Sequence, residues 1–195
     1  MVNYPNKKKN NHYTSMIEGK HNTAHRGMNL EEDINLTNEY YLSHDIAFIH
    51  KKPTPIQIVK VSYPERSSAK IVEAYFRTPS TTDYNGIYKG KYIDFEAKET
   101  KTLSFPFTNI SLHQINHLDK VIHHGGIAFL IIAFTKVNEV YLLDASFMVE
   151  AYRKNDRKSL RYETIKEKGH LIRQGFLPRL HYLEIIDQYY CEVFK

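Results

Sequence analysis

The sequence predicts an α/β fold: a mixed central β-sheet flanked by helices, with one segment projecting from it. Three observations predict it. The elements read as helix, several strands, helix, strands, then helices. The stretch IAFLIIAF (127–134) is wholly apolar yet too short for a membrane span, which suits a buried strand. The stretch YIDFEAK (92–98) alternates instead. It places Ile93, Phe95 and Ala97 on one face and Tyr92, Asp94, Glu96 and Lys98 on the other.

Taken in order, residues 1–25 are polar, rich in Asn, His and Lys, and lack periodicity. They are expected to form a disordered basic arm ahead of one folded domain over 26–195. In GMNLEEDINLTNEYYLS (27–43), Leu30, Ile34, Tyr41 and Leu42 recur at helical spacing, and Glu31, Glu32 and Asp33 fall where the helix dipole favours them. IAFIHK (46–51) reads as a strand. In 52–70, Pro53, Pro55 and Pro64 argue against a central strand, while Ile56, Ile58, Val59 and Val61 keep the chain extended. Lys51, Lys52, Lys60, Arg66 and Lys70 are opposed there by Glu65 alone, so this segment reads as a basic stalk. IVEAYFR (71–77) reads as a further strand. Asn85-Gly86 and Lys89-Gly90 are turn signals ahead of the 92–98 strand. NISLHQINHLDKVIHH (109–124) reads as a helix with Leu112, Ile115 and Ile122 on one flank, Asn109 as its N-cap and Gly125-Gly126 as its stop. EVYLLDA (139–145) is a strand. Short helices and loops follow Ala151, ending in a helical pattern over 182–194.

The 195 residues are 42% hydrophobic and 13% aromatic, enough for a substantial core. The net charge of +5 is unevenly placed: residues 1–26 hold five basic side chains and one acidic. Such an arm suits phosphate neutralisation, though a solvated tail has the same composition. No apolar run approaches 18 residues, the N-terminus lacks a signal-like apolar stretch, and Cys191 is the only cysteine. A cytoplasmic protein is expected, without a membrane partner, disulfide or cysteine-held zinc.

The carboxylates on the 92–98 strand carry the chemistry. Asp83 precedes the Asn-Gly signal, and Glu96 and Lys98 share a face beyond it, so a turn brings Asp83 beside Glu96. Two hard oxygen donors together suit Mg²⁺ or Mn²⁺, and a nearby ammonium can offset charge on a phosphorane. That set suits phosphodiester hydrolysis. A charged, exposed hairpin would carry the same residues, but the apolar reverse face assigns the strand to the core sheet. His113 and His117 stand at i, i+4, yet no third zinc ligand is evident.

The segments HRGMNLEEDI, IHKKPTPIQIVKV and EAYFRTPSTTDYNGIYKGKYIDFEAKETK resemble the RecU family of Holliday junction resolvases, over about residues 26–182. The resemblance implies a restriction-endonuclease-like core whose D…(D/E)xK motif is filled by Asp83, Glu96 and Lys98. It implies metal ligands at Thr81, Asp83, Glu96 and Gln114, with Lys98 as transition-state stabiliser and Glu31 near the site. Ser111 stands where such relatives commonly have histidine. The resemblance also implies a homodimer whose stalk (52–70) enters a four-way DNA junction, with RecA as partner. Lys7, Lys8, Lys9, Arg26, Lys51, Lys52, Lys60, Arg66 and Lys70 are the expected DNA contacts. A restriction-type duplex endonuclease and a non-catalytic junction-binding protein are the alternatives.

Overall fold

The computed structural model describes residues 29–65, 68–77, 81–154 and 156–190. Helix α1 (Leu30–Ser43) starts where it does because the Asn29 side chain accepts the Glu32 N–H and Glu31, Glu32 and Asp33 fill the first turn. Strands β1 (Phe48–Lys51), β2 (Ile56–Glu65), β3 (Ser68–Phe76), β4 (Tyr84–Tyr88) and β5 (Lys91–Thr100) follow. The short β6 (Ser104–Pro106) and a 3-10 turn (Phe107–Asn109) lead to α2 (Leu112–His123). Then come β7 (Ile127–Phe134), β8 (Glu139–Asp144), α3 (Ala145–Lys154), β9 (Ser159–Arg161), α4 (Tyr162–Lys168), β10 (His170–Leu171) and α5 (Tyr182–Tyr189).

Six strands make one sheet in the order β1-β4-β5-β7-β8-β10. Strands β5 and β7 run parallel and the other neighbours antiparallel, so the sheet is mixed, as expected. Every residue of β7 is buried. Its Ile127, Phe129 and Ile131 pack with Ile34 of α1 and Ile186 of α5. Its Ala128, Leu130 and Ile132 pack with Leu118 of α2 and Met148 of α3. A fully buried aliphatic or aromatic side chain contributes roughly 1.5–3 kcal/mol, so these two layers hold the domain together. No helix among the described residues is long and apolar enough to cross a membrane.

Three expectations need correction. The stalk is an antiparallel hairpin of β2 and β3, so it runs to Phe76 rather than ending at Lys70. The strand expected after Lys70 is the hairpin's returning arm, and every residue of β3 is exposed. Asn85-Gly86 is not a turn: both residues lie inside β4, and the hairpin turns at Lys89-Gly90, where φ is positive at both. Ser111, not Asn109, caps α2, through a reciprocal capping box with Gln114. Leu112 is consequently exposed, and Ile115 and Leu118 carry the buried flank. The basic arm over 1–25 lies outside the described residues.

Candidate active site

The β4–β5 hairpin brings the motif together. Its ladder ends with Tyr84 opposite Phe95, which sets Asp83 beside Glu96. The Asp83 N–H donates to Glu96 Oε2 at 3.2 Å, and the Ala97 N–H donates to Asp83 Oδ2 at 3.4 Å. Glu96 is fully buried. Its Oε1 accepts from Gln114 Nε2 at 2.6 Å and from Lys98 Nζ at 2.5 Å. Burial, reinforced by the charge of Asp83 and opposed by Lys98, raises the Glu96 carboxyl from 4.5 to about 7.

A cleft of about 460 Å³ adjoins this cluster, with Thr81, Asp83 and Lys98 in its wall. Glu31 and Lys51 line the same cleft and pair with each other at 2.5 Å. Glu99, which the motif left out, lines it too and accepts the Leu30 N–H at 2.9 Å, tying the start of α1 to β5. Thr81 and Asp83 therefore share a wall, as expected of residues two apart in extended chain.

Gln114 meets Glu96 through its nitrogen. The Ser111 N–H and hydroxyl donate to Gln114 Oε1 at 3.0 and 2.9 Å, which fixes the amide's orientation. Its oxygen is engaged in the helix cap and its nitrogen on Glu96. Lys52 also departs from expectation. Its ammonium is turned inward onto buried Asp94 at 2.7 Å and Thr82 Oγ1 at 2.8 Å, not toward an external phosphate. Lys60 and Lys70 stand exposed on the stalk. Lys7, Lys8, Lys9, Arg26 and Arg66 lie outside the described residues.

Sequence reasoning missed Asp94. It was visible on the polar face of β5, but its partners come from distant segments: Lys52, Thr82 and His117 join Tyr92 around it. Burial alone would raise its carboxyl; the hydrogen bonds from His117, Lys52, Thr82 and Tyr92 hold it below the ordinary range. His117 bonds Asp94, and His113 meets the Ser111 hydroxyl, so the i, i+4 histidine pair holds two separate contacts. Among the described residues no group of three or more His, Cys, Asp or Glu side chains is arranged to hold a metal. A cation here would therefore rest on Asp83 and Glu96, with neutral oxygens such as those of Thr81 and water completing its shell. Such a sparse, hard set fits Mg²⁺, which keeps much of its hydration. The raised Glu96 carboxyl fits too, because burial and the neighbouring Asp83 charge outweigh the single ammonium of Lys98.

Residues 25–188 match the model of the family described as RecU, recombination protein U. A protein of Bacillus cytotoxicus named Holliday junction resolvase RecU is 54% identical over 196 residues, covering 97% of this chain and 98% of that one. The protein of the same name from Bacillus thuringiensis (strain Al Hakam) is 54% identical over 198 residues, with the same coverage. The solved structure of Hjc, a Holliday junction resolvase of Archaeoglobus fulgidus, overlaps at a TM-score of 0.43 and 11% identity, covering 72% of this chain and 92% of that one.

Proposed function

The chain belongs to the RecU family, and from that premise we propose that it is a Mg²⁺-dependent endonuclease that resolves four-way DNA junctions by paired nicks. The observation that carries this reading is the meeting of Asp83, Glu96 and Lys98 at one cleft. Asp83 and Glu96 would hold the cation, and Mn²⁺ would substitute. Bound there, the cation supplies an activated water and stabilises charge on the scissile phosphate. Gln114 fixes one oxygen of Glu96 and leaves the other turned toward Asp83. Lys98 reaches Glu96 from the cleft wall with its side chain 25% exposed, and there it would offset phosphorane charge. Glu31 lines the same cleft, where Lys51 holds it.

The stalk supports a structure-selective substrate. A two-stranded hairpin is marginal alone in water. This one leaves Ile58, Val59, Tyr63, Val72 and Phe76 exposed beside Lys60 and Lys70. Junction DNA and a second protomer would cover it, and two symmetric nicks call for a C₂ homodimer. Recognition by backbone charge and branched shape follows from such a surface. Action in the cytoplasm and a contact with RecA belong to the same proposal and rest on family membership alone.

The test incubates purified protein with four-way junction or linear duplex, in Mg²⁺ or EDTA, beside Asp83→Asn. Junction cleavage that needs both the cation and Asp83 is expected. Duplex cut as fast as junction would instead favour a restriction-type enzyme. Junction binding without any cleavage would favour an architectural role.

A further inference from the structure

We propose that Lys52, Thr82 and Asp94 form a clamp that sets the position of Asp83, which makes Lys52 a positioning residue for strand cleavage. The inference rests on the nuclease reading of the Asp83–Glu96 site. Asp83 lies just outside the β4–β5 ladder, whose last pair is Tyr84–Phe95. Its placement against Glu96 therefore depends on what grips the segment before β4. Lys52 grips it twice. The Lys52 N–H donates to the Asp83 carbonyl at 2.8 Å, and the Lys52 ammonium donates to Thr82 Oγ1 at 2.8 Å. Thr82 in turn donates to Asp94 Oδ1, and the same ammonium reaches Asp94 Oδ2 at 2.7 Å. Backbone and side chains thus close a ring around the residue that precedes Asp83.

The ring is shielded and anchored. Thr82 is 3% exposed and Asp94 0%, so water does not compete for these bonds. Tyr92 and His117 also reach Asp94 Oδ2, the oxygen that takes the Lys52 ammonium, at 2.7 and 3.1 Å. His117 follows Gln114 by one turn of α2, so the helix that fixes Glu96 also fixes Asp94. The two halves of the site share one brace. A reacting group displaced by about 1 Å loses roughly 10²-fold in rate, so the clamp matters to turnover without touching DNA. Lys51, its neighbour in sequence, is the side chain that faces outward: its side chain is 40% exposed against 17% for Lys52.

The test compares full-length Lys52→Met, Thr82→Val and Thr82→Ser with wild type, and uses Asp83→Asn as the control on the nuclease reading. Thermal melts establish which variants fold; the Thr82 pair decides the matter if Lys52→Met does not. Four quantities are measured: single-turnover junction cleavage, the Mg²⁺ concentration at half-maximal rate, junction affinity in Ca²⁺ across a salt series, and metal-free amide exchange at 82–84. Thr82→Val is expected to cleave about 10²-fold more slowly, need more Mg²⁺ and exchange faster, with junction affinity intact. Thr82→Ser is expected to recover, and Lys52→Met to lose rate while keeping its salt slope. The proposal is overturned if Lys52→Met cleaves bound junction normally and its salt slope falls by about one, the mark of a lost phosphate contact. Wild-type cleavage and exchange in Thr82→Val overturn it too. With Asp83→Asn inactive, either result refutes the clamp alone. An active Asp83→Asn removes the nuclease reading and the clamp together.

Discussion

Replacing Gly86 by alanine adds one methyl group that the sheet has no room for. Gly86 lies opposite Ile49 in the β1–β4 ladder. A Cβ there would stand 2.1 Å from the Phe48 carbonyl oxygen, 2.5 Å from Ile49 Cα and 2.9 Å from Ile49 Cγ1. Carbon atoms rest about 3.5–4.0 Å apart, so β1 would have to retreat by roughly 1 Å. The two nearest atoms are backbone, so no rotamer change relieves the clash. Overpacking costs about 1–3 kcal/mol, and the weakened β1–β4 ladder adds to it, so Gly86→Ala is expected to lose about 2–4 kcal/mol. For a domain of this size that lowers Tm by roughly 5–15 °C. Gly90→Ala is the matched control. Gly90 sits at φ +76, and nothing beyond its immediate chain neighbours lies within 4 Å of where its methyl group would stand, so only backbone strain of about 1–2 kcal/mol is expected. Urea and thermal melts of both variants measure the difference. The reasoning is refuted if Gly86→Ala melts at or above Gly90→Ala. Because β1 runs directly into Lys51 and Lys52, junction cleavage by Gly86→Ala is expected to fall as well.

Further outcomes follow from the site. The folded Glu96 carboxyl, at about 7, lies above its ordinary 4.5. Its contribution to stability is therefore full below the unfolded value and lost as pH rises through 7. Metal-free protein should lose Tm through this group between pH 5 and 8, and Glu96→Gln should flatten that dependence. Mg²⁺ should raise Tm more at pH 8 than at pH 6, because binding requires the ionised carboxylate; equal shifts would contradict the assignment. Lys98→Ala should slow single-turnover cleavage by about 10²–10³-fold with junction affinity retained. Gln114→Ala removes the capping box and a Glu96 donor; melts should register a loss of about 1–2 kcal/mol. Removing Lys60 or Lys70 should reduce the salt slope of junction binding by about one each, uniformly across junction sequences.

Much of this architecture was legible from residue order. The unbroken apolar run of β7 announced a strand covered on both faces, and the alternation over 92–98 announced the polar wall that carries Glu96. Asp83 and Glu96 do meet, although only Lys89-Gly90 of the two turn signals between them is a turn. Asn-Gly is a strong turn signal, but here glycine serves close strand approach at Gly86, a need that only the neighbouring β1 creates. The stalk was underestimated because the apolar residues of 71–76 look like core; nothing local tells that the hairpin lacks a third strand. The roles of Gln114, Lys52 and Asp94 were hidden for a related reason. Each depends on partners far along the chain, such as the 42-residue separation between Lys52 and Asp94. Charge in the sequence does not say which way a lysine turns.

The most direct measurement is anomalous diffraction from crystals soaked in Mn²⁺. A single strong peak bridging the carboxylates of Asp83 and Glu96, at about 2.0–2.3 Å from an oxygen of each and lost in Asp83→Asn, is the predicted result. A peak elsewhere, or none between these two side chains in crystals of protein that still cuts junctions, would contradict the two-carboxylate centre.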